Sequence, residues 1–184
     1  MAGWYVEGEE EIAAVHELEG ASDRSSAIVA AAFIETRLEH TIRVRLADEP
    51  SIVEGLLRVS GPLGSFSTKV DLALLIGVIS KEAHKDLVVF KTIRNEFAHK
   101  LGSQSFEMQK IKNLCDNFKL IETMINPIGD ETWRNNNSFI IQMQGYPECL
   151  ESPRGRFLTA ARLFNLMLHP RNTIYRIDCS IPHI

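Results

Sequence analysis

The sequence has no cysteine framework, no long apolar run and no excess of positive charge, and each absence removes a class of protein. Its three cysteines, Cys115, Cys149 and Cys179, form no Cys-x-x-Cys pair, and an odd count gives no disulfide scaffold. Cys115 falls among helix-forming residues and is expected to be buried and inert. The longest apolar runs, such as residues 27–34, are too short to span a bilayer. The first residues run into an acidic stretch, which does not read as a secretory signal. A reducing cytoplasm is the expected compartment, with no membrane association. A formal charge of -4 and a pI near 5.9 leave no whole-domain electrostatic footprint for nucleic acid, although charge can still be segregated on one face.

Chemical signatures are equally sparse. There is no Gly-x-Gly-x-x-Gly, no Gly-x4-Gly-Lys-Ser/Thr and no Gly-x-Ser-x-Gly. His84 and His99 have no Cys, His or carboxylate set at ligand spacing, so neither a metal nor a cofactor is expected. Asp116 and Glu122 lack a partner pattern. No stretch reads as a helix-turn-helix, and Lys81, Lys85 and Lys91 are interleaved with Glu82 and Asp86, a mixed face rather than a DNA stripe.

What is present is helix. With 184 residues, 45% of them hydrophobic, the chain suits one domain with a sizeable core. Residues 9–19 read as a short acidic helix closed by Gly20. Ser22-Asp23 caps a long helix over about 24–47, in which Ala27, Ala31, Ile34, Leu38 and Ile42 form one apolar stripe. Pro50 opens a short helix over 51–59, and Ser60-Gly61-Pro62-Leu63-Gly64 is a tight turn. Ser65 or Ser67 caps a helix over about 66–78, apolar almost all round in its second half and weakened at its end by Gly77. Ser80 caps another, running to a glycine cap at Gly102. A further single helix is expected over 105–121. Residues 122–151 change character, with turns at 125–130 and 135–138 and a strand or docking segment at 138–144. A last helix over 154–168 is followed by an extended, partly apolar tail. The reading is all-α: a bundle of five or six helices over 1–121 and a C-terminal extension of mixed structure over 122–184, whose final helix packs on the bundle.

The stretch richest in chemistry is Lys91–Lys100. Arg94 and His99 are five apart and point roughly 140° from each other around a helix. Asn95 and His99 are four apart and share a face. Glu35 and Glu39, one turn apart beside the apolar stripe of the long helix, can act as acid/base groups or as partners for a buried cation. Two readings follow. In one, Arg94 pairs with Glu35 or Glu39 and the polar groups fix helix register. In the other, two such edges brought together by a two-fold axis form a basic cleft, where a histidine moves a proton and an arginine holds a phosphate without a metal.

Two resemblances add to this. The segment Gly61-Pro62-Leu63-Gly64-Ser65-Phe66-Ser67-Thr68-Lys69-Val70-Asp71-Leu72-Ala73, through Gly77, with Ile93-Arg94-Asn95-Glu96-Phe97-Ala98-His99, resembles the mannitol operon repressor-like family over about residues 25–120. The resemblance implies an all-α bacterial cytoplasmic protein. It gives a first expectation of a dimeric regulatory or interaction protein working through a protein partner rather than by reading DNA bases. Arg94 to His99 is also similar to the Arg-x4-6-His motif of the HEPN superfamily of helical domains. That resemblance implies, as the alternative, a metal-independent endoribonuclease acting on RNA as a homodimer, with Arg94 and His99 as the catalytic pair and Asn95 as polar assistant.

Overall fold

The computed structural model describes residues 4, 6, 8–46, 48–100, 102, 104–125 and 150–169. Among them are eight helices and no strand: α1 (Glu9–Gly20), α2 (Asp23–Arg45), α3 (Pro50–Leu57), α4 (Phe66–Leu75), α5 (Lys81–His99), α6 (Gln109–Cys115), α7 (Leu120–Ile125) and α8 (Pro153–Met167). The all-α expectation holds. The turn at 135–138, the segment 138–144, nearly all of the turn at 125–130, Cys149, Cys179 and the tail beyond Pro170 lie outside the described residues.

The centre of the bundle is α2. Ser22 caps it, its side chain accepting from the Ser25 amide at 3.2 Å. Its small residues Ala27, Ala30 and Ala31, followed by Ile34, Leu38 and Ile42, are all buried, and α1, α4, α5 and α8 pack around it. The small residues let neighbouring helices approach closely, and the larger ones fill the space beyond. At the α8 side Thr41 Oγ1 donates to the Leu168 carbonyl at 2.7 Å, and Arg37 Nε donates to Asn165 Oδ1 at 3.3 Å.

Phenylalanines fill the layer between α5, α6 and α8. Phe90 stacks on Phe157 with ring centroids 4.3 Å apart and planes within 5°. Phe164 meets Phe90 edge-on at 6.2 Å, and Phe106 bridges Phe157 and Phe97 at 5.3 and 4.8 Å. All five rings are buried, each contributing about 1.5–3 kcal/mol relative to an exposed ring. The final helix therefore lies within the same core as α2 and α5.

Three boundaries differ from the sequence expectations, each for a local reason. α4 stops at Leu75 because Gly77 takes φ 70°, with the Gly77 amide donating to Leu74 O and the Val78 amide to Ala73 O. That pair of bonds is a glycine-terminated helix end. By contrast, α5 is not closed by Gly102. Its cap, Lys100, is extended, and the guanidinium of Arg24 takes the Lys100 and Gly102 carbonyls.

The expected single helix at 105–121 is two helices. Ser105 and Phe106 are held out of helical geometry by Asp23, whose Oδ2 accepts the Ser105 hydroxyl at 2.9 Å and the Phe106 amide at 3.0 Å. The chain breaks again after Cys115, because the buried Asp86 carboxylate of α5 accepts the Lys119 and Leu120 amides at 2.8–3.1 Å. Asp86 thus caps α7 from another element. Burial pushes its carboxyl up despite those amide bonds.

Asp86→Ala should leave two amides at the start of α7 without their acceptor, costing about 1–3 kcal/mol. Urea unfolding should show a lowered midpoint with an unchanged slope, and Asp86→Asn, which keeps one acceptor oxygen, should recover part of the loss. A midpoint unmoved by Asp86→Ala would remove the capping role.

Candidate functional site

The site grows out of the Gly61–Gly64 turn. Leu63 donates its amide to Leu56 O at 2.9 Å and Gly61 to Arg58 O at 2.7 Å, so the turn folds tightly over the C-terminal end of α3. A Cβ on Gly61 would lie 2.6 Å from the Gly55 carbonyl oxygen and closer still to that of Leu56, and one on Gly64 would lie 2.6 Å from Val59 O. Only glycine permits this approach. The turn delivers Ser65, whose hydroxyl caps α4 by accepting the Thr68 amide at 3.1 Å.

From that start, three alternate residues of α4 each reach a partner on another helix. Ser67 Oγ receives Lys91 Nζ of α5 at 3.0 Å. Asp71 meets His84 Nε2 of α5 at 2.8 Å. Between them Lys69 turns toward α2, its ammonium 3.1 Å from Glu35 Oε1 and 2.7 Å from Glu39 Oε2, its side chain 6% exposed. Glu39 also accepts Arg43 Nη2 at 2.7 Å, and Arg43 reaches Glu54 of α3 at 2.9 Å. Arg94 Nη2 of α5 closes the group 3.9 Å from Glu35 Oε2. Three carboxylates thus face three cations across α2, α3, α4 and α5.

The electrostatics follow from that geometry. Burial pushes the Glu39 carboxyl up, but hydrogen bonds from Lys69 and Arg43 outweigh it and hold it below the usual glutamate range. Burial pulls the Lys69 ammonium down, and the hydrogen bonds it donates to Glu39 and Glu35 outweigh that and raise it. Arg43 is raised by its bond to Glu39 against burial. Hydrogen bonds thus favour the charged forms of Glu39, Lys69 and Arg43, which are matched within the cluster.

The sequence-derived residues separate within this picture. Glu35, Glu39 and Arg94 come together, but the principal buried cation is Lys69, with Arg94 at the rim. Lys69 was legible as a lysine in the buried stripe Phe66, Lys69, Val70 and Ala73 of α4. His99 is exposed at the end of α5. Among the described residues no hydrogen bond joins Asn95 to His99, and the structure does not bring Arg94 and His99 to one point within the chain. Cys115 is buried with its thiol pushed up to about 12, so it is not a nucleophile. Among the described residues no group of three or more His, Cys, Asp or Glu could hold a metal ion, and no helix is long and apolar enough to cross a membrane.

Comparison with known proteins adds two findings. The family model described as mannitol repressor matches residues 25–148, which include every residue of the charged cluster. Among solved structures, the fold is similar to a chain in the X-ray structure of the MtlR–HPr complex from Escherichia coli, with a TM-score of 0.60 and 20% identity over 85% of this chain and 96% of that one. No curated protein matches the chain.

Lys69→Met should destabilise the bundle by about 2–4 kcal/mol, because two half-buried carboxylates lose their shared cation, and Lys69→Arg should recover part of it. Thermal or urea unfolding within about 0.5 kcal/mol of wild type would contradict this. The pH dependence has a definite sign. A carboxyl held low in the folded chain contributes stability that is full above its unfolded pKa and is lost as pH falls through the folded one. An ammonium held high contributes stability that is full below its unfolded pKa and is lost as pH rises through the folded one. The stability deficit of Glu39→Gln should therefore be constant near neutrality and shrink as pH falls below the ordinary glutamate range, where the wild type loses the same interaction. A deficit that grows with acid would reverse the assignment.

Proposed function

The chain belongs to the mannitol repressor family, and from that premise we propose that it is a bacterial regulatory protein that works by binding a protein partner of the HPr kind rather than by reading DNA bases itself. The observation that carries this reading is the fold it shares with an MtlR chain solved in complex with HPr. Two features of the chain support it. The charged cluster is neutralised internally, so it serves as scaffold and leaves function to the outer faces of the helices. The net charge of -4 disfavours a surface that must neutralise a run of phosphates.

The ribonuclease alternative asks more of the same residues. It needs Arg94 free to hold a phosphate beside His99 of a second copy, whereas Arg94 stands at the rim of the cluster, 3.9 Å from the Glu35 carboxylate. That neighbouring carboxylate, which would repel a phosphate, favours the partner-binding reading.

Titration of the purified protein with HPr from the same organism, by calorimetry and sedimentation, should give a complex tighter than about 100 µM, roughly -5.5 kcal/mol. Sedimentation of the free chain at twice its monomer mass would establish the homodimer. RNA cleavage with chelator present, abolished in a still-folded His99→Ala variant, together with no binding to HPr, would replace this function with the ribonuclease.

A further inference from the structure

The outward face of α5 is a long helix face that neither the charged cluster nor the core uses. It carries Lys81, Lys85, Val88, Thr92, Asn95 and His99, at alternating spacings of four and three that keep them in one straight line. The line is about 27 Å long at 1.5 Å per residue. The helices α2, α4, α6 and α7, together with the α8 phenylalanines that meet Phe90, pack on the other sides of α5. Val88 is 38% exposed near the middle, and its carbonyl accepts the Thr92 hydroxyl at 2.8 Å.

The charges on this line are conspicuously unused. The chain has eight lysines, all described. Lys69, Lys100, Lys110, Lys112 and Lys119 each make an ion pair, and Lys91 donates to Ser67. Among the described residues Lys81 and Lys85 make none. Of the carboxylates beside them in sequence, Asp86 is buried and accepts the Lys119 and Leu120 amides, and Glu82 turns back to the helix start, where backbone and Ser80 hydrogen bonds hold its carboxyl low, with Lys85 and Lys81 adding a smaller pull. Glu96, on the flank, is committed to Lys100 and Lys110.

We infer that this face is a docking surface for an acidic amphipathic helix of a partner protein, whose carboxylates pair with Lys81 and Lys85 while an apolar side chain covers Val88. The occupant follows from charge and shape. A chain of net charge -4 presents here two cations with no internal partner, and these call for negative charge opposite them. The straight line of side chains at helical spacing matches the contact row of a second helix. RNA suits the face less well. Two unpaired lysines would release only about two counterions, and an exposed valine at the centre gains nothing from a phosphate. The inference goes beyond HPr binding and does not depend on it.

The test uses the full chain, labelled with 15N, and a synthetic helical peptide of Glu, Ala and Leu with its leucines on one face. Amide shifts should concentrate at residues 81–99 on the outward side of α5, and the affinity should weaken as salt is raised. Lys81→Glu with Lys85→Glu places like charges opposite each other and should cut affinity about tenfold or more, with the fold retained by circular dichroism because both positions are exposed. Val88→Asp provides a second, charge-independent arm and should also weaken the peptide. Shifts centred on another helix, or affinities unchanged in both variants, would overturn the proposal. So would an oligouridylate that binds the same line more tightly than the peptide, because the face would then belong to RNA.

Discussion

The bundle depends on one buried ammonium. Lys69 enters from α4 between two carboxylates one turn apart on α2, and this contact fixes both the rotation of α4 and its height along α2. An apolar contact would tolerate a slip of one residue. A lysine between two acids does not, because a slip would leave the buried ammonium without its carboxylates. The tight glycine turn before α4 and the arginines around the cluster serve the same geometry. The turn sets where the helix begins, Arg43 carries the charge balance out to α3, and Arg94 ties in the rim of α5.

This gives the most specific part of the sequence a physical meaning. The run from Gly61 to Asp71 is a set of joints. Two glycines allow the turn to close, a serine starts the helix, and Ser67, Lys69 and Asp71 take three different partners on α5 and α2. Resemblance in this region is thus resemblance in architecture.

Much of this was readable in advance, and the parts that were not share a cause. Helix positions follow from local spacing, and the long helix expected at about 24–47 is found at Asp23–Arg45. The roughly 140° between Arg94 and His99 also follows from counting residues; His99 is exposed and Arg94 lies at the rim of the cluster. The break between α6 and α7 could not be read locally, because it is made by a carboxylate 33–34 residues away. The end of α5 likewise depends on Arg24, 76 residues earlier. An acid or base lying within an apolar stripe, as Asp86 does among Ala83, Leu87 and Phe90, is the visible sign that such a distant partner exists, but periodicity does not say which backbone it will meet.

The stacking of Phe157 on Phe90 has a bearing on how the chain is made. Residues 153–167 fill the same core as α2 and α5, yet among the described helices they are the last to be synthesised. Between completion of α5 at His99 and of α8 at Met167, a ribosome working at about 5–20 residues per second needs on the order of ten seconds. Through that interval the face of Phe90 that Phe157 and Phe164 later cover has no lid, and a chain stopped before residue 153 would leave that ring open to water.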